Sequence, residues 1–294
     1  ASADLDDVLG LWAGLGYYSR ARNLHRAAQR VAAEHGGALP SDPAALRALP
    51  GVGRYTAGAV ASIAFDRPEP IVDGNIVRVL TRLFGIEETI ESPAVVKRLW
   101  GLAADFADGP QPGAVNQALM ELGATVCTRR APRCAACPLA SRCAARRSGD
   151  AEALPIRRAK PQPRAVEAVA GWVVRRGRVL AVQRPARGLL GGLWELPGGE
   201  LRDGEAAANA MTRTLRERLG LDIAGATPLG SVEHGFTHLA LQLHVLRCEM
   251  PRGRVRLRDF AAFRWLEPRA FDALPHGAAT RKALSLLRSA EAES

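Results

Sequence analysis

The sequence predicts a two-domain chain, with an all-α first half and an α+β second half. Three observations carry this. Residues 6–122 place apolar side chains at three- and four-residue steps between Gly/Pro breaks, residues 144–164 turn basic and proline-bearing, and beyond them strand-type patterning begins. The length of 294 residues accommodates roughly two domains of about 150 each. With 47% hydrophobic and 24% charged residues, the composition is that of a globular protein, neither disordered nor collagen-like. The longest apolar runs, 58–65 and 239–246, fall short of the ~20 residues of a membrane span, so a soluble, cytoplasmic chain is expected. Residues 1–7 hold three aspartates and nothing resembling a signal peptide, and no initiator methionine opens the chain.

In order, helices are expected at 6–12, 21–33, 43–48, 55–65, 76–84, 94–105 and 115–122, with breaks at Gly36-Gly37, Pro50-Gly51, Pro68 and Gly109-Pro110. Residues 144–164 carry six Lys/Arg, two acids and three prolines, which reads as an extended basic linker. Strands follow at 166–174, 179–183, 229–234, 239–248 and 263–266, with helices at 206–219 and 278–287. The expected domains are therefore 1–143 and 165–294, joined by the linker 144–164.

Forty Lys/Arg against thirty Asp/Glu give a net charge of +10, which favours a polyanionic partner through phosphate contacts. Base-composition bias also enriches arginine, so charge alone decides little. Cysteine is more specific. Cys127, Cys134, Cys137 and Cys143 form a C-x6-C-x2-C-x5-C loop, while Cys248 stands alone in an apolar run as an expected core residue. Four soft ligands fit either a [4Fe–4S] cluster or tetrahedral zinc. Zinc sites usually pair two short knuckles, and the single C-x2-C here favours iron–sulfur. Arg129, Arg130, Arg133 and Arg142 lie in or beside the loop, either as a solvated face or as a knob for phosphate.

Leu49-Pro50-Gly51-Val52-Gly53 separates two helical patterns, and its glycines leave amides pointing outward at a helix N-terminus, an arrangement suited to a phosphate oxygen. Both a helix-hairpin-helix and a plain helical hairpin fit. Asp73, in Ile71-Val72-Asp73-Gly74-Asn75, has an ordinary reading as an N-cap. Its apolar neighbours also allow a carboxylate at a cleft edge, stabilising a developing cation.

Hairpin, aspartate and four-cysteine loop, in that order, resemble the helix-hairpin-helix DNA glycosylase superfamily. Within it, Gly14-Leu15-Gly16-Tyr17-Tyr18-Ser19-Arg20, residues 49–58, Val72-Asp73-Gly74-Asn75 and residues 116–123 look like the MutY-type adenine DNA glycosylases, a match covering nearly all of residues 4–143. The resemblance implies a [4Fe–4S] cluster on the four cysteines. It implies extrusion of adenine opposite 8-oxoguanine or guanine in double-stranded DNA, and cleavage of its N-glycosidic bond through an oxocarbenium-like state. Asp73 would stabilise the cationic sugar, with Asn75 and Tyr55 hydrogen-bonding around it. Tyr17 would wedge into the base stack, and Gly51, Val52 and Gly53 would contact DNA. Endonuclease III-like relatives carry a Schiff-base lysine where this chain has Tyr55, so a monofunctional enzyme is expected; separately, a monomer is expected. The resemblance also implies a general-acid glutamate within an N-terminal motif that these residues do not contain. The expectation is an N-terminally incomplete chain with impaired catalysis.

In the second half, the order strand, loop, helix and the spacing Gly199-x5-Glu205-x7-Arg213 resemble a Nudix fold. The metal-binding remainder of that pattern departs from it: Thr214, Glu217 and Arg218 stand where several carboxylates would gather on Mg²⁺, and Mg²⁺-dependent hydrolysis is not expected. MutY-type enzymes carry such a domain to read 8-oxoguanine, with a Phe-Ser-His segment at the lesion. Here the matching place is Phe236-Thr237-His238. Two alternatives are a non-catalytic lesion-binding module and a Nudix nucleotide pyrophosphatase.

Overall fold

The computed structural model of the protein describes residues 1–159 and 161–292. It divides into two compact units. One is built from the described residues of Arg26–Lys160, the other from those of Ser2–His25 and Pro161–Ser294. The expected division at 144–164 differs at the N-terminus. Leu9, Tyr18 and Ala21 are buried with Leu193 in one cluster, so Ser2–His25 packs with the C-terminal half. Apolar contact, which ignores sequence distance, sets this grouping.

The first unit is helical. The division falls inside α2 (Ser19–Glu34), which α3 (Pro43–Ala48), α4 (Arg54–Phe65), α5 (Gly74–Phe84), α6 (Pro93–Ala107) and α7 (Pro112–Glu121) follow, after α1 (Leu5–Leu11) of the other unit. Local chemistry sets the ends. Asp42 caps α3, its carboxylate accepting from the Ala45 amide at 2.8 Å, with Pro43 in the first turn. α5 begins at Asp73 and stops at Gly85, whose φ of 60° is left-handed. Two apolar clusters hold these helices: Ile71, Ile76, Val79, Leu80 and Leu99 in one, Ala27, Val31, Leu46, Leu49 and Ala61 in the other. α4 is gripped closely on two sides. A Cβ at Gly58 would lie 2.5 Å from the Pro70 carbonyl oxygen, and one at Gly113 2.5 Å from that of Ser62, so only glycine lets these backbones meet.

The segment expected as an extended linker is partly helical. α8 (Ala144–Ser148) forms because Ala144, Ala145, Arg146 and Arg147 are good helix formers, and Gly149, at φ 82°, ends it.

The second unit is built on a sheet of strands β1 (Arg164–Arg175), β2 (Arg178–Gln183), β3 (Trp194–Glu195), β4 (Gly198–Glu200), β5 (Gly225–Gly235), β6 (Leu239–Glu249) and β7 (Ala262–Leu266). The main path runs β3-β2-β1-β6-β5, with β4 on β1 and β7 on β2. β1 and β6 pair in parallel, whereas the β5–β6 hairpin is antiparallel. Each face of the sheet has its own core. α10 (Ala278–Ala292) covers Ala168, Trp172 and Val245, and α9 (Ala207–Leu219) covers Val169, Leu180 and Leu246. β1 alternates between these clusters, as the period-two side-chain rule requires. No helix among the described residues is long and apolar enough to cross a membrane.

Candidate functional site

In the helical unit the site is organised by the start of α5. Asp73 has extended backbone, and its Oδ1 accepts from the amides of Asn75 at 2.9 Å and Ile76 at 2.8 Å, satisfying two donors that the first helical turn leaves open. Its Oδ2 accepts from Asn75 Nδ2 at 3.0 Å. Asp73 is half-buried, so the cap leaves the carboxylate reachable.

Asn75 is held from behind by a residue that the sequence reading passed over. Arg78 donates through Nη2 to Asn75 Oδ1 at 2.8 Å and to the Gly123 carbonyl, and through Nε to the Cys127 carbonyl at 2.6 Å. Burial pulls the Arg78 pKa below the ordinary arginine value, while Cys127 acts the other way. The signal was present in the sequence: Arg78 and Arg82 lie one turn apart on an otherwise apolar α5 stripe. A cation there needs acceptors.

Asn75 also lines an open pocket of about 540 Å³ with Gln117, Ala118, Met120, Glu121 and Ala124. Tyr55, on α4, donates its hydroxyl to Met120 Sδ at 3.3 Å. Burial, and then the negative charge of Asp73, push the Tyr55 pKa up, so it stays a phenolic donor at neutral pH. Asp73 reaches this cavity through Asn75 and Tyr55 reaches it through Met120, and its volume is large enough for a purine. Asn116, buried on α7, donates to Ser62 Oγ and to the Glu69 carbonyl, both at 2.9 Å, and ties down the segment leading to Asp73.

At the hairpin, Gly51 takes φ 76°, and Gly53 caps α4 without a side-chain acceptor. The first α4 amides lack intrahelical partners, the arrangement that suits an anion. Val52 lies between the two, with its amide on the Leu49 carbonyl at 3.1 Å.

Cys127, Cys134, Cys137 and Cys143 all border one small pocket, together with Arg82 and Arg146. Among the described residues no three His, Cys, Asp or Glu close on a single ion. Four soft thiol donors suit tetrahedral zinc or an iron–sulfur cluster alike. A ring of four thiols around a common pocket fits the donor set of a larger polynuclear cluster.

In the second unit, Phe236, Thr237 and His238 form the tip of the β5–β6 hairpin. Phe236 meets His234 edge-on with centroids 4.6 Å apart, and burial followed by Lys282 lowers the His234 pKa. Thr237 Oγ1 lies 3.2 Å from the hydroxyl of Tyr17, which is 70% exposed. Tyr17 thus groups with the hairpin tip. Trp12 Nε1 on the Gly16 carbonyl (3.1 Å) and Tyr18 hydroxyl on the His276 carbonyl (3.2 Å) hold its turn.

The α9 residues do not assemble a magnesium site. Arg213 binds Glu205 at 2.7 and 2.6 Å and Glu217 at 3.2 Å, Thr214 is buried on the Met211 carbonyl, and Arg218 is engaged by Asp259 and the Gly198 carbonyl. The Arg213 contact drives the Glu205 pKa down to about 2. The carboxylates of this face are each paired with a guanidinium, unlike the converging carboxylates that hold Mg²⁺. Nearby, Glu195 lines a cavity of about 420 Å³, paired with Arg184 at 2.9 Å, and its burial outweighs that pairing to raise its pKa.

The family models for HhH-GPD superfamily base excision DNA repair protein and NUDIX domain match residues 1–104 and 169–286. The chain carries a domain of each kind. Its HhH-GPD domain is followed by a Nudix-like domain. The chain is 39% identical to the adenine DNA glycosylase of Homo sapiens over 293 residues, covering 83% of this chain and 54% of the relative. The Mus musculus enzyme of that name is 40% identical, with 83% and 56% covered, and the Arabidopsis thaliana one 38%, with 81% and 42%. The chain spans about half the length of the curated relatives it matches.

Proposed function

We propose that this protein removes adenine paired with 8-oxoguanine or guanine in double-stranded DNA by hydrolysing the N-glycosidic bond. One observation carries the reading: the carboxylate of partly exposed Asp73 is bound by Asn75, which lines a purine-sized pocket together with Met120, the partner of the Tyr55 hydroxyl. The duplex is gripped by the Gly51–Gly53 hairpin, whose free amides take a phosphate. The extruded adenine enters the pocket beside Asn75. As the bond to the base lengthens, positive charge grows on the sugar, and the fixed carboxylate of Asp73 stabilises it without reorganising. Tyr55 supplies a hydrogen-bond donor and no amine, so no Schiff base forms there and the enzyme is monofunctional. Cys127, Cys134, Cys137 and Cys143 hold a [4Fe–4S] cluster that braces the loop.

The test is single-turnover adenine release from an A:8-oxoguanine duplex by the full-length protein, beside duplex affinity. Asp73→Asn should reduce release by about 10²–10³-fold, the range for losing an electrostatic stabiliser, with affinity kept. Equal release by both proteins would refute the chemical role. Phe236, Thr237, His238 and Tyr17 read the lesion strand. Thr237→Val keeps the shape and removes the hydroxyl, and should cost about 1 kcal/mol of preference for 8-oxoguanine over guanine. Equal losses on both duplexes would remove Thr237 from the reader.

A further inference from the structure

We propose that Arg82 is the counter-cation and hydrogen-bonding anchor of a negatively charged four-thiolate centre in the loop 127–143. It is a positioning residue, and the proposal rests on the iron–sulfur reading of that loop. Arg82 is only 2% exposed, near the end of α5. Its guanidinium is spread over one side of the loop. Nη1 donates to the Thr128 carbonyl at 2.7 Å, the Cys127 carbonyl at 3.4 Å and Cys127 Sγ at 3.3 Å, and Nη2 to the Arg129 carbonyl at 3.1 Å. Nε donates to the Leu154 carbonyl at 3.0 Å. The backbone carbonyl of Arg82 accepts from the Cys143 thiol at 3.4 Å, so one residue touches both the first and the last cysteine of the loop.

The charge balance makes this arrangement informative. A guanidinium taken out of water needs an opposite charge or a full set of acceptors, and an unpaired buried ion is strongly unfavourable. Among the described residues, none of the acceptors of Arg82 is a carboxylate. They are carbonyl dipoles and one sulfur. The four cysteines border one pocket with Arg82, and the other guanidinium there, Arg146, adds positive charge. Sulfur ligands bind metal as thiolates, so a loaded loop supplies the missing negative charge where the buried cation already points. Outer groups that hydrogen-bond to a ligating sulfur tune both retention of the metal and its potential. A cation and an N–H···S bond favour the more negative, reduced state, and their loss should move the midpoint potential down.

Wild-type protein, Arg82→Lys and Arg82→Met are purified anaerobically and assayed for iron, acid-labile sulfide, visible absorption, rate of cluster loss in air and midpoint potential. Lysine keeps a charge but cannot reproduce the planar fork that reaches sulfur and four carbonyls together. The expected result is iron in the wild type, loss in air at least about tenfold faster in Arg82→Lys, and a midpoint displaced to lower potential in both variants. A tenfold change in the one-electron equilibrium would read as about 59 mV. If the wild type contains no iron, the iron–sulfur reading itself falls, and this proposal with it. If the wild type is loaded and Arg82→Met loses iron, sulfide and potential no differently, Arg82 is not the anchor. Should Arg82→Met fail to fold, Arg82→Lys decides: wild-type loss rate and potential in that variant overturn the proposal.

Discussion

At Asp73 the two carboxylate oxygens are divided between helix and site: Oδ1 takes the Asn75 and Ile76 amides, and Oδ2 takes the side-chain amide of Asn75. N-cap and candidate catalyst, which the sequence poses as rivals, therefore coexist in one residue. Fixing one oxygen on the backbone restricts where the other can point, and that is how a carboxylate is held ready for a developing charge. The orientation of Asn75 depends in turn on Arg78 and on how closely the segment after α7 approaches. Gly123 is where that segment and Asn75 meet closely. A Cβ there would lie 2.6 Å from Asn75 Cβ, within backbone and side chain that have little room to yield. Gly123→Ala should therefore destabilise the helical unit by about 1–3 kcal/mol through overpacking. It should also lower single-turnover adenine release by up to about 10²-fold, the cost of displacing a positioning group by an ångström. Denaturant unfolding with parallel release assays checks both, and wild-type values on both measures would show that the Asn75 contact relaxes freely.

Among the elements, those with strong periodicity were legible and those made by tertiary contact were not. α5 shows apolar positions at helical spacing, an Asp-Gly start and a glycine stop, and it was expected to within two residues of where it lies. β3 and β4 have two and three residues, too short to show alternation, and they exist because β2 and β1 pair with them. The hairpin tip and the cysteine loop were legible as spacings. The roles of Arg78 and Arg82 were not, because apart from Asn75 Oδ1 and the Gly74 carbonyl, both bound by Arg78, their acceptors among the described residues lie 45 or more residues away. On α9 the departures at Thr214 and Arg218 were readable, and Arg213 carries the consequence: it binds Glu205, whose pKa falls from an ordinary 4.5 to about 2. A carboxyl whose pKa is lower folded than unfolded contributes stability above the unfolded value, and that contribution disappears as pH falls through the folded value. Glu205→Gln should thus melt below wild type at pH 7, with the difference narrowing from about pH 4.5 and closing near pH 2. A pH series of melting temperatures measures this, and a gap of constant size across that range would mean that the Glu205–Arg213 contact is not electrostatic in origin.

At the scale of the whole chain, the family models and the compact units divide the sequence differently. The HhH-GPD match starts at residue 1, yet Ser2–His25 packs with the residues that follow Pro161. Sequence-family membership records descent, while cooperative units follow buried apolar area, and the two need not coincide. Leu9 tests which grouping governs stability. It is fully buried beside Leu193, Tyr18 and Ala21, with Leu5, Val8, Trp12 and Leu190 packed around them. Truncating a leucine in such a site removes its transfer free energy and leaves a cavity, about 2–5 kcal/mol together. If α1 folds as part of the second unit, Leu9→Ala should lower hydrogen-exchange protection throughout β1 and β6 by that amount, because their slowest amides exchange through global opening of the unit. Amides of α5 should keep wild-type protection. The grouping fails if the loss is confined to residues around α1, or if α5 weakens while β1 and β6 do not, because Leu9 would then be a local contact or a part of the helical unit.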